Sequence, residues 1–408
     1  LKAGFYTIMA AQFFSSLADN ALLIAAIALL MQSHEPEWMT PLLKLFFIVS
    51  YVMLAPLVGA FADSMPKGRV MFITNTIKIV GCAMMFFSIH PLLAYAVVGL
   101  GAAAYSPAKY GILTELLPPQ QLVVANGWIE GLTVASIILG TLAGGALISP
   151  TVSGMLLSID VPMLDTTIDT AAEAAIAVTI SGYAIAAAFN LYIPDTGVDH
   201  RIPHRNPVYL FEEFAHCVKL LWKDKLGQIS LATTTLFWGA GATLQFIVLK
   251  WAETALNLPL SQASMLQGVT AVGIAMGAVA AAKFVALKDA PRVIPLGMFM
   301  GLGVIGMVFV RDIYIAIAML IAIGALAGFF VLMGAGHSIA VQNFNENISV
   351  LTMLGIYALM IRYDLPIYTV IVLFGLFVAG AMFMVRKRHL GNAAREDLSR
   401  LIGVDEQH

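Results

Sequence analysis

FYTIMAAQFFSSLADNALLIAAIALLM, residues 5 to 31, decides how the rest of the chain is read. As an α-helix a run of ~27 residues reaches about 40 Å, more than the ~30 Å hydrocarbon core of a bilayer. It contains no Lys or Arg, and one ionisable residue, Asp19, sits near its middle. No small-residue cleavage site follows, so the run is read as a retained first helix and not a signal peptide. The whole chain repeats this character: 408 residues are 60% hydrophobic and 11% charged, with a mean hydropathy of +0.88. Such a balance excludes a soluble globular protein and predicts a polytopic membrane protein.

Outward from that run, apolar stretches long enough to span recur at 42–61, 70–89, 92–116, 123–148, 173–194, 228–252, 263–287, 293–310, 313–331, 338–361 and 365–385. The expected fold is all-α, with twelve transmembrane helices in two six-helix bundles. The division follows the largest polar interruption. Residues 1–194 form an N-terminal six-helix bundle and 195–227 a cytoplasmic linker. Residues 228–385 form a C-terminal bundle and 386–408 a basic cytoplasmic tail. Within the linker, Phe211, Phe214, Val218 and Leu221 alternate at helical spacing with Glu212, Glu213, His216 and Lys219, the pattern of a helix lying in a membrane surface.

Basic residues set the orientation. With the N-terminus inside, the cytoplasmic segments hold Lys2, Lys67, Arg69, Arg201, Arg205, Lys219, Lys223, Lys225, Lys288, Arg292 and five more after residue 385, while the outer loops hold only Arg311 and Arg362. Both termini are thus expected in the cytoplasm. Cys82 and Cys217 suggest neither a disulfide nor a metal framework, and eight scattered His carry no ligand spacing.

The halves echo each other at an offset of about 225, as transporter repeats do: Gly99 in VGLGAAAY aligns with Gly324 in IGALAGFF, and Asp19 with Gln245. The offset then slips. Gly99 to Glu130 is longer by nine residues than Gly324 to its counterpart Glu346, so residues are expected to be missing near 331–334.

Four groups of residues carry the mechanistic reading. GAFADSMPKGRVM (59–71) joins spans 2 and 3 and resembles the cytoplasmic gate signature of the major facilitator superfamily. In it Gly59 lets helices approach, and Asp63 with Lys67, Gly68 and Arg69 locks a gate by charge-assisted bonds. Lys109, in span 4, is assigned to the same gate, although snorkelling explains it in part. In span 1, Gln12, Ser15, Ser16 and Asp19 recur at helical spacing, so a polar face is expected to look into a cavity. A carboxylate at mid-membrane costs about 2.5–3.5 kcal/mol on insertion scales and is usually used. The alternative is a structural Asp that bonds a neighbour. Span 5 carries Asn126 and Glu130, and span 11 carries Asn343 and Glu346 in QNFNEN; a shared aqueous cavity and plain interhelical bonding are both open for these. Span 7 presents Thr234, Trp238, Gly241 and Gln245 on one stripe, with Lys250 near its outer end. Lys78, in span 3, is harder to dismiss as a snorkelling lysine.

No G-x-S-x-G, H-E-x-x-H, Walker A or H-x-x-x-x-D run is present, which argues against an embedded enzyme. ADNALLIAAIALL (18–30), the 59–71 segment, GAAAYSPAKYGILTELLP (101–118), LFWGAGATL (236–244) and IAVQNFNEN (339–347) together resemble the bacterial lysophospholipid transporter family of that superfamily, over nearly the whole chain. Membership implies a monomer of the bacterial inner membrane. It would move lysophospholipids, chiefly lysophosphatidylethanolamine, from the outer to the inner leaflet, with no cofactor, metal or nucleic acid. It also implies a functional link to an acyltransferase–acyl carrier protein synthetase that re-esterifies them. The head-group site would comprise Asp19, Asn20, Gln12, Asn126, Glu130, Trp238, Gln245, Lys250, Asn343 and Glu346. Where the family has an Arg in the span 7 stripe this chain has Gln245, so phosphate recognition is expected to shift to Lys250 or another cation. The competing expectations are a proton-coupled exporter of drugs or other small molecules within the same superfamily, and a non-transporting scaffold that presents lipid.

Overall fold

The computed structural model describes residues 3–159, 168–200, 206–285, 292–333 and 339–402, and among these there are helices and turns but no strand. The first apolar run is a single helix, α1 (Ala3–Gln32). Span 2 is broken into α2 (Thr40–Met53) and α3 (Ala55–Asp63), which meet at 67°. The break has a local cause: Pro56, in the first turn of α3, lacks a donor and its ring crowds the carbonyl four residues back. Next come α4 (Lys67–Phe86), α5 (Pro91–Leu116), α6 (Pro119–Ile148), the short α7 (Pro150–Leu157) and α8 (Ala171–Leu191). The linker helix is α9 (Pro207–Lys223), and the second half follows as α10 (Lys225–Leu256), α11 (Leu260–Phe284), α12 (Pro295–Gly306), α13 (Ile313–Met333), α14 (Ile339–Arg362) and α15 (Ile367–Ile402). Nine of the described helices are long and apolar enough to cross a membrane. The bent pair makes a tenth, and Pro295–Phe309 and Ile313–Phe329 are shorter apolar helices. Each of the twelve expected runs therefore falls on helix.

Helix ends follow the sequence closely. α1, α4 and α14 stop two residues before a residue at positive φ, namely His34, Ser88 and Asp364, and α10 stops one residue before Asn257; a proline follows within three residues of each. After α1, α4 and α14 the next amide bonds back across the left-handed residue: Glu35 to the Leu30 carbonyl at 3.1 Å, Ile89 to Met84 at 3.3 Å and Leu365 to Met360 at 3.1 Å. These are Schellman closures, which satisfy carbonyls the helix would otherwise leave open, and the prolines prevent its resumption. All four ends lie on the same side of the molecule.

In the first half α1 packs along α6 and α8, and α4 along α5 and α8. In the second, α11 packs along α13, α12 along α15 and α10 along α14. The repeat has a packing basis. A Cβ on Gly99 of α5 would strike the Phe47 backbone of α2, and one on Gly324 of α13 would strike the Thr270 carbonyl of α11, so equivalent helices cross through equivalent glycines. The expected gap near 331–334 falls at the end of α13, and residues 334–338 beyond it lie outside the described residues. In the basic segment after 385, α15 continues to Ile402 and Arg388 donates to Gln228 of α10 at 2.6 Å.

The halves meet along two seams, α6 with α11 and α2 with α14. Both lie towards the side where α1, α4, α10 and α14 end: Gly145 abuts Ser261 and Ser264, Gly268 abuts Leu142, and Gly355 faces Leu45. Beyond Pro56 the chain turns away, and α3 packs on α5 and on α9 instead of on α14. At that opposite end α9 packs against α3, α10 and α14 and so bridges the halves. Phe214 stands edge-on to Phe344 of α14 at 5.1 Å, and the Trp222 indole donates to Asn345 at 3.2 Å.

Candidate functional site

The polar face of α1 is taken up largely inside the first half. Gln12 is buried and donates to Thr133 of α6 at 3.2 Å, and Ser15 is buried and donates to Asn75 of α4 at 2.7 Å. The expectation that the whole stripe looks into a cavity is therefore corrected: α4 and α6 carry hydroxyl and amide groups that satisfy it. Asn20 donates to the Ser16 carbonyl one turn back at 2.8 Å, and Asn347 of α14 makes the same bond to Asn343 at 2.7 Å. The Asp-Asn of α1 and the Glu-Asn of α14 thus share a local geometry that sequence alignment of the halves does not pair.

Asp19 is not a lone carboxylate. Its Oδ2 accepts from Lys78 Nζ of α4 at 3.0 Å and its Oδ1 from the Tyr183 hydroxyl of α8 at 2.5 Å. Lys78 also donates to Ser15 at 3.0 Å and lies 5.1 Å from the ring centre of Tyr105 and 5.5 Å from that of Tyr183. Ser15, Asp19, Asn75, Lys78 and Tyr183 form one network that ties α1, α4 and α8 together. Asp19 is therefore paired, by a cation that comes from another helix and not from its own, as the alternative of a structural Asp bonding a neighbour expects. The lysine is sealed, with 2% of its side chain exposed, whereas Asp19 keeps 22%. The network presents its carboxylate and hides its cation.

In the second half, α10 supplies an open stripe. Trp238 is 41% exposed, a Cβ on Gly241 would meet nothing within 4 Å, and Gln245 is half-buried. Gln267 of α11 steadies Gln245, donating to its backbone carbonyl at 2.6 Å and accepting from its side-chain amide at 3.5 Å. Thr234, in the same stripe, is buried. α1 and α10 are not among the closely packed helix pairs, and Asp19 and the Gln245 stripe come from opposite halves.

Other expected site residues are placed elsewhere. Lys250, five residues beyond Gln245 on α10, is engaged by Glu37 of the other half at 2.6 Å, so in this structure its ammonium meets a carboxylate and not a head-group phosphate. Glu346 is buried in α14 and Asn343 is half-buried. The side chains of Asn126 and Glu130, on α6, lie outside the described residues.

The 59–71 connection forms a charge cluster with different members from those expected. Lys67 is buried and bonds Asp63 at 2.5 Å, the Ala62 carbonyl at 2.9 Å and Glu115 of α5 at 3.5 Å. Glu115 in turn accepts from Thr196 at 2.7 Å. Arg69 is exposed and makes no ion pair among the described residues, so Lys67 takes the role expected of the pair. Gly59 meets nothing within 4 Å and brings no helices together, whereas Gly68 lies against Ile193 and the Asn190 carbonyl at the end of α8. Lys109 sits over the Tyr110 ring at 4.5 Å. Sequence reasoning missed Glu115, Tyr183, Glu37 and Gln267. Of these only Glu115, a carboxylate at a helix end beside a basic connection, had a signal to find it by.

The chain matches the model of the family described as Major Facilitator Superfamily over residues 8–363. Lysophospholipid transporter LplT of Yersinia enterocolitica serotype O:8 / biotype 1B is 39% identical over 381 residues, covering 90% of this chain and 89% of that protein. Lysophospholipid transporter LplT of Yersinia pestis (strain Pestoides F) is 40% identical over 384 residues, covering 91% and 90%. Among solved structures, a bacterial homolog of the human lysosomal transporter Spinster, in an inward-facing and unoccupied conformation, superposes with a TM-score of 0.67 at 16% identity over 96% of this chain and 98% of that one. The POT family transporter PepTSo gives 0.67 at 10% identity over 96% and 98%. Likeness at such low identity speaks for the fold alone, but the match along 8–363 and the two relatives along nine-tenths of their length settle the family: the chain belongs to the bacterial lysophospholipid transporters of the major facilitator superfamily.

Proposed function

We propose that this protein moves lysophospholipids, chiefly lysophosphatidylethanolamine, from the outer to the inner leaflet of the bacterial inner membrane by alternating access of its two halves. The observation that carries the reading is the identity of 39% and 40% to transporters named for lysophospholipids, across about nine-tenths of both chains. The positive-inside bias puts the termini and the 63–67 connection in the cytoplasm. On that orientation the sealed seams are periplasmic, and the reading has the Asp19 level reached from the inside.

A lysolipid has a polar head and a single tail, so a carrier needs a polar station flanked by an apolar route. The partly exposed Asp19 carboxylate, with Asn20 next to it in sequence and Gln245 contributed by the other half, supplies the station. The exposed Trp238 and the open face at Gly241 supply apolar surface below it. The ethanolamine ammonium then hydrogen-bonds a carboxylate that Lys78 already compensates, a weaker contact than a bare charge would make but one that leaves no uncompensated ion when the site empties. Rocking of the halves about this level would expose it to each side in turn. Once inside, the lipid is available to an acyltransferase–acyl carrier protein synthetase.

The test is flux without partners. Purified protein in vesicles carrying fluorescent lysophosphatidylethanolamine is expected to move label to the leaflet protected from an impermeant quencher, at a rate proportional to protein. Protein-independent movement, or transport of cationic drugs in place of the lysolipid, would reject the reading in favour of a scaffold or an exporter.

A further inference from the structure

We propose that Lys78 is a specificity-determining residue: by compensating Asp19 from behind, it lets one site accept both zwitterionic and anionic lysolipid heads. The inference rests on the lysolipid reading above. Its basis is the asymmetry of the pair. Lys78 Nζ is 3.0 Å from Asp19 Oδ2 and 3.0 Å from the Ser15 hydroxyl, with only 2% of its side chain exposed, while Asp19 keeps 22%. The ammonium is enclosed by Ser15, Asp19 and the rings of Tyr105 and Tyr183, so it does not reach into the open space to meet a phosphate. Its charge is nevertheless felt there. Coulomb interactions act across the few ångströms between Nζ and any group that touches Asp19, and the low dielectric of the membrane interior strengthens them.

Two consequences follow for the head group. A bare carboxylate at this level would attract any cation and repel a head with net negative charge. A carboxylate backed by a buried cation has no net charge, keeps its acceptor oxygens for an ammonium or a hydroxyl, and leaves a phosphate unopposed. Lys78 thus sets the ratio between head groups and not the strength of tail binding. This distinguishes it from a lysine that merely holds helices together, whose loss would weaken every ligand alike.

The experiment uses the full chain in lipid nanodiscs, with lysophosphatidylethanolamine and lysophosphatidylglycerol competing against one fluorescent lysolipid. Lys78→Met is expected to weaken lysophosphatidylglycerol relative to lysophosphatidylethanolamine on the order of tenfold, because a full charge is uncovered within a few ångströms of the anionic head. Lys78→Gln, which retains a donor for Asp19 without the charge and guards against misfolding of the Met variant, is expected to shift the ratio the same way, and Lys78→Arg to leave it near wild type. An unchanged ratio in both the Met and Gln variants, or equal loss for both lipids, would overturn the proposal while leaving the transport reading intact. Failure of the wild type to bind either lysolipid would overturn that reading and this inference with it.

Discussion

Lys250 Nζ lies 2.6 Å from Glu37 Oε2, and the two residues belong to opposite halves: Glu37 precedes α2, and Lys250 is on α10. Beside them Arg362, at the end of α14, lies 5.1 Å from the ring of Trp38, so two polar contacts cross between halves at the closed end. Neither survives if that end opens. The seam beneath is apolar or small-residue packing, in which Gly145 takes the Ser261 carbonyl and Ser264 and Gly268 takes Leu142.

The latch is expected to bias the conformational equilibrium without dominating it. Lys250 and Glu37 side chains are 26% and 61% exposed, and ion pairs so placed are worth about 0.2–1 kcal/mol. Glu37→Gln should therefore raise the labelling rate of a cysteine at Ser261, in a background lacking Cys82 and Cys217, by about one-and-a-half to fivefold. The reversed pair, Glu37→Lys with Lys250→Glu, should return it towards wild type. Identical rates in all three proteins would make the contact incidental.

Glycines at the helix crossings make a second prediction, with an internal control. A Cβ on Gly99 or Gly324 meets the backbone of the facing helix, which has no flexible end to swing aside, so Gly99→Ala and Gly324→Ala should each destabilise by about 1–3 kcal/mol. Gly59→Ala meets nothing and should be neutral or slightly stabilising, since alanine is the better helix former. Thermal melts in one detergent rank the three. A Gly59 variant as unstable as the other two would contradict the crossing geometry.

The contrast between those glycines shows what was legible in the sequence. Gly99 and Gly324 could be paired because a repeat places equivalent crossings at a fixed offset. Gly59 could not be read correctly, because the 67° bend at Pro56 carries α3 away from the helix it was expected to approach. The same limit applies at the site. Asp19 announces itself as a carboxylate deep in an apolar run, but its partners, Lys78 and Tyr183, are 59 and 164 residues away. Only folding shows that they meet. Spans, the six-plus-six pattern and the linker helix rest on local periodicity and were readable. Which polar residues satisfy each other depends on helix rotation about its axis, and periodicity fixes that only to within a face.

The cytoplasmic cluster gives the last prediction, on its hierarchy of members. Lys67 begins α4, where the helix dipole disfavours a cation, yet it is buried and bonded to Asp63, the Ala62 carbonyl and Glu115. Its stem also lies over Gly111, with Cε 3.0 Å from where a Cβ would stand. The two carboxylates are not equivalent: Asp63 is 76% exposed and Glu115 14%. Water replaces most of what Asp63 offers, so Asp63→Asn should cost no more than about 1 kcal/mol. Glu115→Gln removes the better-shielded charge, which faces Lys67 and also accepts from Thr196, and leaves a buried ammonium short of a partner; about 1–3 kcal/mol is expected. Arg69→Gln touches nothing in the cluster and should stay within about 0.5 kcal/mol. If the cluster holds the ends of α3, α4 and α5 together, cysteine labelling around the 63–67 connection should rise in the order Arg69→Gln, Asp63→Asn, Glu115→Gln, with Lys67→Met at or above the last. An Arg69 variant that labels as readily as the Glu115 variant would show that the arginine, and not Lys67, holds this end.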